Sequence, residues 1–308
     1  MITTERLRKR LKLRDFEALL AVARSGSMAR GAVELSVSQP AVSKAIAELE
    51  HTMGVPLFDR TARGVELTLY GEIVMKCARS VFDDIHLTVQ EIAAASDPGT
   101  GELRIGASEP MLGGLLAAII AELHRRFPKL RFEVQQPQSV EEQRRELRER
   151  RVDLVIGRMA HGDDEDLARE ELCAEPWSVV AGPTNPLARR RKLELAELLD
   201  EPWTVPREDS AVSRYMMKIF AEAGLRRPRN VVTCGSIQMH AALLARGPYL
   251  AIFPRSLLHF TPMAVKVLAV KLPGTPPAIG ITTLKRRTAS PVVKLFIQTA
   301  RELAKPLG

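Results

Sequence analysis

Three cysteines in 308 residues, Cys77, Cys173 and Cys234, are too few and too widely spaced for a disulfide framework. The six histidines are scattered and there is no CxxC pair, so no ligand set for structural zinc is visible. Neither a metal nor a cofactor is expected. Aromatic residues make up only 5% of the chain, and long apolar runs are missing. The longest, 111–121, stops at Glu122 and is too short to span a bilayer. No apolar core of an export signal follows the first basic residues, so a cytoplasmic location is expected. The GxSxG elbow, P-loop, GxGxxG fingerprint and HExxH helix are all absent, which removes the commonest sequence grounds for an enzyme.

What the chain does carry is positive charge. The net charge is +8, which favours an acidic partner, and nucleic acid is the commonest one. Arg6, Arg8, Lys9, Arg10, Lys12 and Arg14 face only Glu5 in the first fourteen residues. That run reads equally as phosphate contacts or as a solvated basic tail. With 45% hydrophobic and 27% charged residues the composition suits a folded protein, and the length suits two or three domains.

Up to about Ala95 the periodicity is helical nearly throughout. Asp97-Pro98-Gly99-Thr100-Gly101 then halts any helix. Beyond it, short β-rich runs at 103–107, 131–134, 153–157, 178–181 and 250–253 alternate with amphipathic helices. This alternation predicts an α/β domain built on a largely parallel sheet.

Within the helical segment, Phe16, Leu19, Leu20, Val22 and Ala23 define a first helix closed by Gly26. Ser27 can cap a second, with Ala29, Ala32 and Val33 on its inner side. After the turn at Ser36-Val37, Ser38 can cap a third helix, with Pro40 in its first turn where a missing N–H costs nothing. Val42, Ile46, Leu49 and Met53 recur at helical spacing and face a core, leaving Gln39, Pro40, Ser43, Lys44 and Ala47 outward. Helix, tight turn and a helix with an exposed polar N-terminal end is a helix-turn-helix arrangement. Gln pairs with adenine, Lys reaches guanine or phosphate, and Pro or Ala touches a thymine methyl. Periodicity alone fits a small helical bundle equally well.

The residues themselves are more specific. Ser27 to Leu35, Ser38-Gln39-Pro40-Ala41-Val42-Ser43-Lys44-Ala45-Ile46, Leu49-Glu50, Gly54, Leu57-Phe58, Arg60, Arg63-Gly64 and Leu67-Thr68 closely resemble the signature of LysR-type transcriptional regulators. Met28, Gly31 and Tyr70 depart from it. Gly31 inside the second helix should cost about 1 kcal/mol relative to Ala.

The resemblance implies a multidomain chain. Residues 1–68 would form an all-α winged helix-turn-helix, 69–96 a dimerisation linker helix, 97–101 a hinge and 102–308 an effector domain. The last would be α/β and periplasmic-binding-protein-like, with two subdomains and a cleft. The implied partners are double-stranded DNA, a small-molecule effector, and further copies of the chain in a homodimer or homotetramer. In this frame Ser38, Gln39, Pro40, Ser43 and Lys44 read DNA, with Arg60, Thr61 and Arg63 on the wing. Val74, Val81, Ile85, Val89 and Ile92 form a narrow apolar stripe that serves helix pairing or packs on its own chain.

Ligands of open α/β sheets sit at the carboxyl ends of strands beside helix N-termini. Ser108, Gln138, Ser139, Arg158, Arg207 and Ser236 are therefore the candidate contacts for a small polar or anionic effector. Ser108 would cap a helix running to Pro128, Ser139 and Glu142 would form a capping box, and Ser236 would open a helix ended by Gly247. For these serines capping alone is an equal explanation. Arg158 either clamps an anion or pairs with Glu109, which itself would repel an anion and leaves a sugar-like or mixed-charge ligand open. The acids of His161 to Asp166 lack calcium-loop spacing and read as a solvated crossover loop. An α/β enzyme or a transport-type binding protein with a helical appendage is the rival reading. It leaves the ordered N-terminal signature without a role.

Overall fold

The structure, a computed structural model, describes residues 7, 10–61, 64–97, 99–159 and 164–307, with the side chains of Arg60 and Ala211 left aside. The chain falls into two compact units, Met1–Val89 and Gln90–Gly308.

In the first unit, α1 (Leu13–Ser25), α2 (Met28–Glu34) and α3 (Gln39–Met53) enclose a core of Phe16, Leu19, Val22, Ala32, Val42, Ile46, Leu49 and Leu57. All four residues that spacing placed on the inner side of α3 are buried. In α2 the inward pair is Gly31 and Ala32, not Ala29 and Val33; Val33 is 80% exposed. The reason is close approach. A Cβ on Gly31 would lie 3.0 Å from Val22 Cγ2 and 3.1 Å from the Val22 nitrogen, so the one residue of α2 without a Cβ sets the face that can meet α1. The helix propensity lost at Gly31 is exchanged for this packing. Ser27 holds the cap position, but its side chain makes no capping bond.

Strands β1 (Phe58–Thr61) and β2 (Gly64–Leu67) pair antiparallel as a wing, Phe58 opposite Leu67 and Thr61 opposite Gly64. Glu50 Oε1 accepts the Leu57 N–H at 2.7 Å and the Phe58 N–H at 3.3 Å where the chain enters the wing. Helix α4 (Leu69–Ser96) follows. Thr68 caps it as expected, accepting the Gly71 N–H at 3.0 Å while its hydroxyl donates to the Pro56 carbonyl at 2.8 Å. The apolar stripe of α4 divides. Val74 is buried and Val81 half-buried against the unit's core, whereas Ile85, Val89 and Ile92 are 41%, 60% and 63% exposed.

The second unit contains β3 (Gly101–Ala107), α5 (Glu109–Gly113), α6 (Leu115–Arg126), β4 (Leu130–Gln135), α7 (Val140–Arg148), β5 (Leu154–Arg158) and β6 (Leu167–Ala174). It continues with β7 (Trp177–Ala181), β8 (Trp203–Val205), α8 (Ala211–Glu222), β9 (Val231–Thr233), α9 (Ile237–Arg246), β10 (Leu250–Pro254), α10 (Arg255–Phe260) and β11 (Lys266–Val267). Strand β12 (Ala278–Leu284) and α11 (Pro291–Ala304) complete it.

Two five-stranded sheets result, in the orders β4-β3-β5-β12-β6 and β11-β7-β10-β8-β9. They form two subdomains with separate cores, one around Leu103, Ile105, Ile156, Ile281 and Phe296, the other around Val179, Trp203, Phe220 and Leu250. The expectation of a largely parallel sheet is corrected. Strands β3, β4 and β5 run parallel, but β12 is antiparallel to both β5 and β6, and β7 is antiparallel to both β10 and β11. The first strand made after each passage between sheets, β7 or β12, runs opposite to the βα repeats of its sheet, whereas β6 and β11, which lead into the passages, run with them. The helix expected between Ser108 and Pro128 is also broken, at Gly114. A Cβ there would lie 3.0 Å from the Pro110 carbonyl oxygen and 3.2 Å from Leu257 Cα.

Candidate nucleic-acid interface and candidate ligand cleft

The N-terminal end of α3 is assembled by local chemistry. Ser38 Oγ accepts the Ala41 N–H at 3.4 Å, and Pro40 occupies the first turn. Gln39, Pro40, Ser43, Lys44 and Ala47 are exposed beside it, as the spacing predicts. Lys44 projects with its side chain 76% exposed and its Nζ 3.9 Å from Glu48 Oε1. Glu48 also draws Lys12 to 3.4 Å and Arg14 to 3.7 Å, so three cations collect around one carboxylate. The Lys44–Glu48 spacing is readable in the sequence, whereas the arrival of Lys12 and Arg14 is tertiary. On the wing, Thr61 Oγ1 donates to the Gly64 carbonyl at 3.4 Å. Arg60 stands opposite Val65 in the ladder, and Arg63 lies outside the described residues.

In the second unit a cavity of about 150 Å³ lies between the two subdomains. Ser108, Gln138, Ser139 and Arg207, four of the six expected contacts, line it together. Ser236 sits between the lining residues Gly235 and Ile237. Arg158 instead lines a smaller neighbouring cavity, with its guanidinium 5.4 Å from the Tyr215 ring centre. Burial pushes that guanidinium below its ordinary range, and the Tyr215 hydroxyl opposes the shift. The alternative pairing of Arg158 with Glu109 does not form among the described residues; Glu109 Oε1 accepts the Ile237 N–H at 2.7 Å.

The helix starts around the cleft are largely satisfied from within. Ser139 Oγ accepts the Glu142 N–H at 3.0 Å, and Glu142 Oε2 accepts the Gln138 N–H at 2.7 Å, one residue before the usual capping-box partner. Ser210 Oγ accepts the Ser213 N–H at 3.0 Å and donates to the Arg207 carbonyl at 2.7 Å. Ser236 Oγ accepts the Met239 N–H at 3.4 Å. Ser108 makes no capping bond.

Sequence reasoning did not place Thr204, Asp209, Cys234 and His240 in this cleft; Thr204 lies on β8, Cys234 just past β9, Asp209 before α8 and His240 in the first turn of α9. Arg207 is paired with Asp209 through contacts of 3.1 and 2.7 Å at the exposed rim. Thr204 Oγ1 and His240 Nδ1 share a hydrogen bond of 2.6 Å, and His240 Nε2 lies 3.9 Å from Cys234 Sγ. Burial pushes the His240 pKa down, which keeps the imidazole neutral at physiological pH. Burial pushes the Glu109 carboxyl up, against the pull of its bond from Ile237. Trp177, Ile252, Phe253 and Pro254 supply apolar wall.

Of the acidic crossover run, Asp164 pairs with Arg144 and Arg148 at 2.9 Å each, and Asp166 with Arg148 at 2.8 Å. His161 to Asp163 lie outside the described residues. Among the described residues no His, Cys, Asp and Glu side chains group to hold a metal ion. No helix there is long and apolar enough to cross a membrane.

Comparison with known proteins gives two family matches. The LysR substrate binding domain model matches residues 96–305, and the model of the bacterial regulatory helix-turn-helix protein, lysR family, matches residues 13–72. The HTH-type transcriptional regulator GbpR of Azospirillum brasilense is 28% identical over 299 residues, covering 96% of this chain and 87% of the relative. Among solved structures, a full-length OxyR from Pseudomonas aeruginosa matches with a TM-score of 0.69 and 21% identity, over 97% of this chain and 98% of the other. Full-length CbnR in complex with its target DNA matches with a TM-score of 0.65 and 20% identity, over 95% of this chain and 100% of the other.

Proposed function

The chain belongs to the LysR family and is a DNA-binding transcriptional regulator, not an enzyme, and from that premise we propose how its residues divide the work. Residues 1–68 read DNA, 69–96 pair two copies, 97–101 act as the hinge, and 102–308 take up a small polar or anionic effector. The protein works in the cytoplasm, alongside the chromosome.

One observation carries the DNA assignment. The capped start of α3 leaves Gln39, Pro40, Ser43 and Lys44 exposed while Val42, Ile46 and Leu49 anchor the helix from behind. Gln39 can pair with adenine through two hydrogen bonds, Ser43 can donate or accept, and Lys44 can reach guanine or phosphate; a good base contact contributes about 1–3 kcal/mol of discrimination. Ser38 orders the helix start next to phosphate, which the free N–H groups of the first turn attract. Arg60, Thr61 and Arg63 make backbone contacts from the wing, which position the helix and bring the salt dependence.

The exposed residues Ile85, Val89 and Ile92 support pairing with a second copy. Two copies related by a two-fold axis present two reading helices to a two-fold-related operator. The family's usual dimer of dimers makes a tetramer the working assembly.

Ser108, Gln138, Ser139, Arg207 and Ser236 surround the effector, with Arg158 behind them. Effector and DNA are coupled by linkage: an effector that alters DNA affinity must have its own affinity altered by DNA to the same degree.

The test is binding to fragments of the protein's own upstream DNA, as wild type and as Ser43→Ala/Lys44→Ala. Site-specific binding by the wild type, lost in a variant that keeps its fold and oligomeric state, supports the reading face. Equal binding by both proteins removes it.

A further inference from the structure

We infer that the cleft selects an effector that brings an ammonium group, or a comparable hydrogen-bond donor, to Glu109, and that it disfavours a simple anion. This rests on the reading of the cleft as the effector site.

The charged side chains lining the cleft among the described residues are Glu109, Asp209 and Arg207. Arg207 and Asp209 are already joined in a two-contact ion pair at the exposed rim. That leaves the Glu109 carboxylate without a cation among the described residues. Its one hydrogen bond among them is the Ile237 N–H on Oε1, a neutral donor from the opposite subdomain. His240, kept neutral by burial, adds no charge. A half-buried carboxylate facing a cavity is costly to keep ionised without a partner, and burial does raise its pKa. A ligand ammonium would remove that cost.

The features that would otherwise draw an anion are partly occupied. Helix N-termini attract negative charge through free N–H groups and the dipole. Here the three longer helices starting at the cleft have donors already bonded from within the chain. Glu109 takes the first N–H of α9, Ser139 takes the Glu142 N–H of α7 while Glu142 takes the Gln138 N–H before it, and Ser210 takes the Ser213 N–H of α8. A carboxylate entering this cleft would face Glu109 and find part of its usual donors satisfied.

The size of the cavity limits the remainder of the ligand. A cavity of about 150 Å³ takes a body about the size of benzene. The walls formed by Trp177, Ile252, Phe253 and Pro254 suit an apolar one. The ligand class is therefore a small amine or amino-bearing compound with a compact apolar part.

Benzylamine and benzoate are matched probes, alike in size and opposite in charge. Thermal unfolding and isothermal titration of the full-length protein with each at equal concentration decide the matter, with Glu109→Gln as the variant. The expected result is that benzylamine raises the wild-type Tm and benzoate does not, and that benzylamine affinity falls at least tenfold in Glu109→Gln. Benzoate binding the wild type as well as benzylamine does would overturn the inference and leave the cleft as an effector site. So would benzylamine binding unchanged in Glu109→Gln. No binding of either probe would overturn the inference together with the assignment of the cleft.

Discussion

The Glu50 carboxylate, near the C-terminal end of α3, accepts the Leu57 backbone N–H at 2.7 Å. Leu57 is fully buried, so this N–H has no access to water when the carboxylate is gone. A charge-assisted bond of this kind contributes about 1.5–3 kcal/mol, and an orphaned buried donor costs about 1–3 kcal/mol. Glu50→Ala should lower the stability of the N-terminal unit by that order and weaken operator binding, because the wing loses its tie to α3. Glu50→Gln, which keeps an acceptor, should lose less. Thermal unfolding and fluorescence anisotropy would measure both effects. A Glu50→Ala protein with wild-type stability and DNA affinity would refute the tie.

Glu48 restrains three cations, Lys12, Arg14 and Lys44, at 3.4, 3.7 and 3.9 Å. DNA must compete with it for them. Glu48→Gln should bind DNA several-fold more tightly at low salt, with the gain fading as ionic strength rises. Lys44→Ala should reduce the slope of log affinity against log salt by about one. A salt series on both variants checks the pair, and weaker binding by Glu48→Gln would contradict the competition.

Ile85 and Val89 are exposed on α4, one turn apart, with no apolar neighbour needed to explain their place in a folded monomer. Ile85→Glu/Val89→Glu should leave each unit folded and reduce the molecular mass in sedimentation equilibrium. Operator affinity should fall with it, since two half-sites then bind independently. An unchanged mass would move the pairing surface away from this stretch of α4.

Glu175 is 2% exposed and accepts two hydrogen bonds from Ser256, the N–H at 2.9 Å and the hydroxyl at 3.0 Å. Burial raises its carboxyl above the ordinary 4.5 more strongly than Ser256 and Arg158 draw it back. The folded protein thus holds this proton more tightly than the unfolded chain. Its contribution to stability is fully present below pH 4.5 and is lost as pH rises through the folded pKa. Glu175→Gln has no proton to lose. The stability of wild type relative to this variant should decline from pH 4.5 towards neutrality, as followed by urea unfolding at several pH values. A difference that is flat with pH, or rises with it, would refute the assignment.

The sequence is most informative where periodicity is long and the chemistry local. Fifteen residues of α3 suffice to mark Val42, Ile46, Leu49 and Met53 as inward, and all are buried. Seven residues of α2 do not suffice, and its orientation follows from the contact between Gly31 and Val22, which no local pattern records. The apolar runs at 103–107 and 250–253 read directly as strands, but β6 carries Arg169, Glu170 and Glu171, which hide it by composition. Strand β12 has β-favouring Ile279, Ile281, Thr282 and Thr283, yet was not read as a strand, and the mixed pairing of the first sheet was missed with it. In the cleft, the lining residues Ser108 and Ser139, which follow strands and open helices, were legible, and Ser236 adjoins the lining. Glu109 and His240 acquire their roles from elements 128 and 36 residues away.

Strand β12 sits in the interior of the first sheet, between β5 and β6, yet it is made only after the whole second subdomain. On the ribosome, β3, β4 and β5 therefore emerge with an open edge that must wait on the order of ten seconds for its neighbour. The second subdomain has all its strands in one uninterrupted stretch and can close first. Nascent chains of this protein thus expose a partly built sheet until Ala278–Leu284 has been made, and a stop codon anywhere before Ala278 leaves β5 and β6 without the strand that joins them.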